Sequence, residues 1–190
     1  MNTTTRSRLL AWLLTIAMVL TLVPTVAFAA ETATYTKVTD ASTLAAGDKV
    51  VIVANDYDYA LGTNQKKNNR DAVAVTKTDN TVAVTDAVQV LTLEAGTNEG
   101  TFAFNTGSGY LYAASSSSNH LKTESALSDN SSWAITIEGG IATVKAQGTN
   151  THNWMRYNPN NGTPLFACYA SGQQDICIYR LEGGTDCLVK

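Results

Sequence analysis

The chain has 190 residues, 13 of them basic and 16 acidic, with a formal net charge of −3 at pH 7 and only 15% charged side chains. That balance excludes an electrostatic footprint for nucleic acid or for an anionic membrane surface. Sparse charge with abundant Thr, Ser, Asn and Ala fits an exported β-protein and argues against a helical bundle.

In chain order, the first feature is residues 1–29. Arg6 and Arg8 precede an apolar run from Leu9 to Val23, and Ala27-Phe28-Ala29 follows Pro24. This is the pattern of a secretory signal peptide cut after Ala29, with an uncleaved membrane anchor as the alternative. No later stretch approaches the ~20 apolar residues that span a bilayer. The mature chain is therefore expected to be secreted or at the cell surface, without a membrane span after cleavage. Residues 30–190 carry 11 basic and 16 acidic residues and suffice for one domain. Residues 30–48 read as a lead-in, where Asp40 or Ser42 caps a single helical turn that Gly47 ends.

From Lys49 onward the apolar residues come in short runs: "KVVIVA", "AVAVT", "VQVLTLE", "TFAF", "YLYAA", "WAITIE", "ATVKA", "LFACY", "ICIYRLE". They are rich in β-branched and aromatic residues and separated by Asn, Asp, Gly and Ser, which predicts strands throughout residues 49–184 and a short tail at 185–190. Three of them end almost alike, as "LTLEAG", "ITIEGG" and "YRLEGG", with Glu94, Glu138 and Glu182 each 44 residues apart. Tyr110 and Trp154, Leu121 and Leu165, and Trp133 and Cys177 share that interval. In the first unit Tyr59 precedes Glu94 by 35 residues where the later units need 28, so seven extra residues are assigned to an insertion around "NQKKNNRD".

Three all-β units of this length are too few for a propeller. They predict a β-trefoil-like fold, six strands forming a barrel and six capping it; a two-sheet β-sandwich is the alternative. The repeat places Leu91, Leu93, Ile135, Ile137, Tyr179 and Leu181 at related core positions and makes the Glu-Gly endings turns.

Chemistry-bearing residues are few. Of the odd set Cys168, Cys177 and Cys187, the first two flank "YASGQQDI", read as a hairpin, and are a possible disulfide or two small buried hydrophobes. His120 and His152 sit in turns of different units, without a metal-ligand partner or a nucleophile motif beside them. Asp56 and Asp58 are either part of a weak calcium site or solvated turn residues. Neither a catalytic constellation, a metal site nor a cofactor is expected. One patch, "THNWMRYNPNNG", gathers Asn153, Trp154, Arg156, Tyr157 and Asn158, and aromatic faces beside amide and guanidinium donors suit a sugar ring. Core packing is the other reading of Trp154 and Tyr157.

The succession "GDKVVIV", "ALG", "GYLYAAS" and "MRYNPNNGTPLFACYASGQQDICIYRLE" resembles an accessory module of large secreted proteins of anaerobic bacteria, over residues 35–182. That resemblance implies a domain joined to nucleases, hydrolases or adhesion repeats. At the level of fold the repeat is also similar to ricin-type lectin trefoils. It lacks their Q-x-W, having "VQVL", "SSWAI" and "QDICI" in that place, so their sugar-binding residues do not carry over. The expected function is an exported, non-catalytic binding module, with glycan or a surface protein as partner. The alternatives are a structural or adhesion module facing a protein, or an accessory fragment of a larger secreted enzyme.

Overall fold

The computed structural model describes residues 33–182; the expected signal peptide and Cys187 lie outside them. Fifteen strands run in chain order. They are β1 (Thr34–Lys37), β2 (Lys49–Ala54), β3 (Tyr59–Gln65), β4 (Arg70–Ala74), β5 (Thr76–Lys77), β6 (Thr81–Ala83), β7 (Leu91–Ala95) and β8 (Phe102–Asn105). Then come β9 (Tyr110–Ala113), β10 (Leu121–Glu124), β11 (Ser132–Glu138), β12 (Ile141–Ala146), β13 (Trp154–Asn158), β14 (Leu165–Tyr169) and β15 (Ile176–Leu181). Three single turns of 3₁₀ helix complete the fold, the first being Ala41–Thr43, where Asp40 accepts from the Ser42 amide at 2.8 Å. No helix among the described residues is long and apolar enough to cross a membrane.

The pairings close a ring. β2 pairs with β7, β7 with β8, β8 with β11, β11 with β12, β12 with β15, and β15 returns to β2, all antiparallel. Three hairpins, β3–β4, β9–β10 and β13–β14, stand outside this six-stranded barrel. The chain is all-β in the arrangement of a β-trefoil. Each unit contributes two barrel strands and one hairpin.

The barrel and its hairpins share one apolar cluster of Val50, Ile52, Leu91, Leu93, Phe104, Leu111, Leu121, Trp133, Met155, Phe166, Ile176 and Ile178, with others between them. Trp133 is fully buried, and its indole N–H donates to the Leu111 carbonyl at 3.1 Å, which satisfies the one polar atom it brings into the core. β7 alternates buried and half-buried residues, as a strand with one covered face should. β2 is buried from Val50 to Ala54, because Val51 and Val53 face a second apolar cluster with Tyr35, Val82, Val84, Val88, Cys177 and Tyr179. β1 and the β5–β6 hairpin lie over that outer face, β1 pairing with both β15 and β6.

Three sequence expectations are corrected. The insertion does not lie in "NQKKNNRD": Tyr59 to Arg70 spans as many residues as Tyr110 to Leu121, and the extra length falls between β4 and β7, where β5 and β6 form. Tyr179 and Leu181 do not face the barrel interior; Ile176 and Ile178 do, and Tyr179 belongs to the outer cluster with Leu181 packed against it. The core residues Leu111 and Met155 are 44 apart, but Leu121 and Phe166, like Trp133 and Ile178, are 45 apart, and a one-residue slip turns a strand's side chains to its other face. Cys168 and Cys177 are free thiols. β14 pairs with β13 and β4 but not with β15, so Cys168 faces the main core while Cys177 faces the outer cluster.

The repeated glutamates also differ. Glu138 and Ile141 flank a two-residue turn in which Gly139 and Gly140 both take positive φ, 57° and 81°, the geometry a tight hairpin requires. Glu94 instead accepts from the Asn105 amide at 2.6 Å and from the Tyr110 hydroxyl at 2.8 Å. These two bonds, the amide first, hold its carboxyl below the usual range. A lowered folded-state pKa contributes stability above the ordinary glutamate value and loses it as pH falls through the lowered one. Glu94→Gln should therefore be less stable than wild type at neutral pH, and urea titrations should show that deficit shrinking once pH drops below about 4.

Arg70 is 3% exposed and lies on β4 opposite Phe166 of β14. Its guanidinium donates to the Thr63 carbonyl at 2.9 Å, the Gln89 side-chain oxygen at 3.0 Å and the Thr123 hydroxyl at 2.7 Å. It thereby ties β3 and the segment before β7 to the neighbouring hairpin. Arg70→Ala should leave these buried acceptors without a donor and lower unfolding stability by about 3 kcal/mol, as measured by urea denaturation.

Candidate functional site

The patch expected to bind a ligand is largely engaged with the protein itself. Tyr157 is 1% exposed and packs in the core against Tyr57, Tyr59 and Phe166, with ring centroids 5.1, 5.9 and 5.3 Å away. Burial, followed by the neighbouring Tyr59 and Tyr57, pushes its phenol up to about 12. Alternation along β13 sends Trp154, Arg156 and Asn158 to the opposite face, where they are half-buried. The Lys145 ammonium and the Arg156 guanidinium sit 5.5 and 5.0 Å from the Trp154 ring centroid, so cations occupy the indole π-system. Arg156 also pairs with Asp175. The Asn158 amide donates to the Tyr169 hydroxyl at 2.8 Å, and its oxygen accepts from the Asn160 amide at 2.9 Å. Asn153 donates to the Ala146 carbonyl at 3.2 Å.

The histidines, distant in sequence, are neighbours in space. The β9–β10 turn docks on the 147–153 loop through Ser116 with Asn150 at 2.9 Å and Asn119 with His152 at 2.8 Å. Burial, then Lys122 and His152, lowers the pKa of His120. No group of three metal-ligating side chains gathers there or elsewhere among the described residues.

A more open site lies at the edge of the outer cluster. The loop between β2 and β3 carries Asn55, Asp56, Tyr57 and Asp58, and the β5–β6 turn carries Thr78 and Asp79. Between them is a cleft of ≈ 560 Å³, completed by Lys37 of β1, Lys77 of β5 and Tyr179 of β15. Lys77 holds its wall in place: its ammonium donates to the carbonyls of Ala54 at 2.8 Å, Asn55 at 2.6 Å and Tyr57 at 2.9 Å. That uses all three N–H bonds an ammonium has. Asn55 donates to Asp56 at 2.8 Å and accepts from the Cys177 thiol at 3.1 Å.

Asp56, Asp58 and Asp79 are exposed, and none forms an ion pair among the described residues. Tyr179, 2% exposed, lines the buried end of the cleft, and its hydroxyl has no hydrogen-bond partner among the described residues. Burial, then Cys177 and Asp79, pushes that phenol up to about 12. Burial likewise raises the Cys177 thiol, against the opposing charge of Lys37. Both groups stay protonated at neutral pH. Of the cleft's carboxylates, the sequence singles out Asp56 and Asp58 as ligand candidates. The alternation of "TKTDNTVAVT" was a strand signal, but nothing local tied Lys77 to a loop 20 residues earlier.

No family model and no curated protein matches the chain. Among solved structures it is similar to a Polyporus squamosus lectin bound to the human-type influenza-binding epitope Neu5Acα2-6Galβ1-4GlcNAc, at 15% identity and a TM-score of 0.50, over 70% of this chain and 49% of the lectin. It is also similar to a GH43 β-1,3-galactosidase at 13% identity and a TM-score of 0.53, over 74% of this chain and 29% of that one. The chain thus spans about half of the lectin and under a third of the galactosidase. At these identities the likeness is one of fold.

Lys77→Met keeps the aliphatic stem and removes the three charge-assisted bonds. It should cost about 1–3 kcal/mol, and amide hydrogen exchange should accelerate in residues 54–58 while the barrel strands stay protected.

Proposed function

We propose that this chain is an exported, non-catalytic module that binds glycan at the cell surface or on extracellular material, and that the cleft bounded by the 55–58 loop and the β5–β6 turn is its site. The observation that carries this reading is the lining of that cleft. Carboxylates from two loops, an amide, a threonine hydroxyl, a phenol and an ammonium face one open space. A sugar presents hydroxyls that each donate and accept, and such a mixed lining can satisfy both roles. The lectin of similar fold was solved with a glycan epitope, which is consistent with this use of the architecture.

The non-catalytic part of the reading comes from the sequence, which offers no nucleophile, base and orienter together. Export is supported by the sequence of residues 1–29. The 29% share of the galactosidase is the proportion an accessory module would take in a larger enzyme, so attachment to one is compatible with this role.

A glycan array probed with the wild-type protein, the double variant Asp56→Asn/Asp58→Asn and Trp154→Ala tests the reading. Wild type should bind a defined set of glycans, the double variant should lose roughly 10-fold or more in affinity, and Trp154→Ala should keep its binding. Absence of binding by folded wild type, or loss only in Trp154→Ala, would overturn the assignment of the cleft.

A further inference from the structure

Within the glycan-binding reading, on which this step rests, we infer that the cleft selects a sugar carrying a free protonated amine, a hexosamine, over its neutral, N-acetylated and acidic counterparts. The charges of the cleft argue for it. Asp56, Asp58 and Asp79 bring three carboxylates to one opening, and no lysine or arginine side chain pairs with any of them among the described residues. Of the two lysines present, Lys77 has given every N–H to backbone carbonyls and has none left for a ligand. Lys37 also lines the cleft, beside the Cys177 thiol, so the three carboxylates outnumber the one cation left to face a ligand. An ammonium entering this space meets acceptors with free lone pairs, whereas a sugar carboxylate or sulfate meets like charge.

The uncharged groups sharpen the choice. Tyr179 is the one aromatic residue of the lining, and at 2% exposure it has almost no ring face to offer a sugar. Ring stacking, which would bind neutral and charged sugars alike, is therefore not available here. The Tyr179 hydroxyl, without a partner among the described residues, can exchange hydrogen bonds with a sugar hydroxyl. A volume of ≈ 560 Å³ lies in the ordinary range for small-molecule sites, about 300–1,000 Å³. One wall is the β5–β6 hairpin, an insertion that the second and third units lack. The site accordingly occurs once per chain, in contrast to a pocket repeated by threefold symmetry.

Calorimetric titration at low salt with four β-1,4-linked or related tetrasaccharides tests this: glucosamine, N-acetylglucosamine, glucose and galacturonic acid. The glucosamine tetramer should bind with one site per chain and about 10-fold tighter than the other three. Asp56→Asn and Asp79→Asn should each weaken it by about 5-fold, while Asp86→Asn, exposed and outside the cleft, should not. Equal affinities, a preference for the N-acetylated or acidic tetramer, or equal Asp56-dependent binding of spermine would overturn the amine selectivity. If the array finds a neutral glycan whose binding needs Asp56 and Asp58, only the amine inference falls. If no glycan binds in either experiment, both readings fall.

Discussion

The structure depends on the pairing of β15 with β2. Five residues, Ile176 to Arg180, align with Ala54 back to Val50, and this ladder converts an open run of hairpins into a closed barrel. The other ring contacts join strands nearer in sequence, whereas this one spans more than 120 residues. Its loop-closure entropy is the largest in the fold and is recovered only when the whole ring forms. Closure also removes the free edges that barrel strands would otherwise expose. β1 then pairs along the outer side of β15, so both ends of the described chain meet at this seam.

Because the seam carries so much of the closure, both of its faces are covered. Ile52 and Ile178 point into the barrel; Val51, Val53, Cys177 and Tyr179 point out. Left bare, that outer face would be an apolar patch on a soluble surface. β1 and the β5–β6 insertion bury it, and the candidate site follows from how they end. Where the cover stops, the apolar floor gives way to Lys37, Lys77 and the aspartates of two loops. The cleft is the polar rim of a second, smaller core.

The three units share the barrel and differ outside it. Interior positions are apolar in all three, while exterior positions carry different side chains. Arg70 can be buried because Thr63, Gln89 and Thr123 accept from its guanidinium. Glu94 is a bonded carboxylate, while Glu138 is exposed beside a glycine turn. Trp154 became the centre of a cation–π cluster on the outside of β13.

Alternation and punctuation were local, and local signals were sufficient for the fold class. The period-two runs, the glycine pair at 139 and 140 and the three similar strand endings specified β-structure, three units and a trefoil before any contact was known. The unbroken apolar run of β2 was readable in the same way, as a strand covered on both faces. Spacing alone puts the insertion in the wrong loop and Tyr179 inside the barrel, and it leaves open whether Cys168 and Cys177 bridge or are buried hydrophobes; the structure has them as free, buried thiols. Each error has one cause. Spacing shows that side chains alternate, but which face is interior depends on distant strands, and one added residue in a hairpin reverses it. The cleft was illegible for the same reason: Lys37, Asp56, Lys77 and Tyr179 come from four separate segments that converge only after the barrel closes and its seam is covered. The sequence by itself determined how the chain alternates and turns; tertiary structure decided which side chains meet, because meeting is a property of long-range packing and not of spacing.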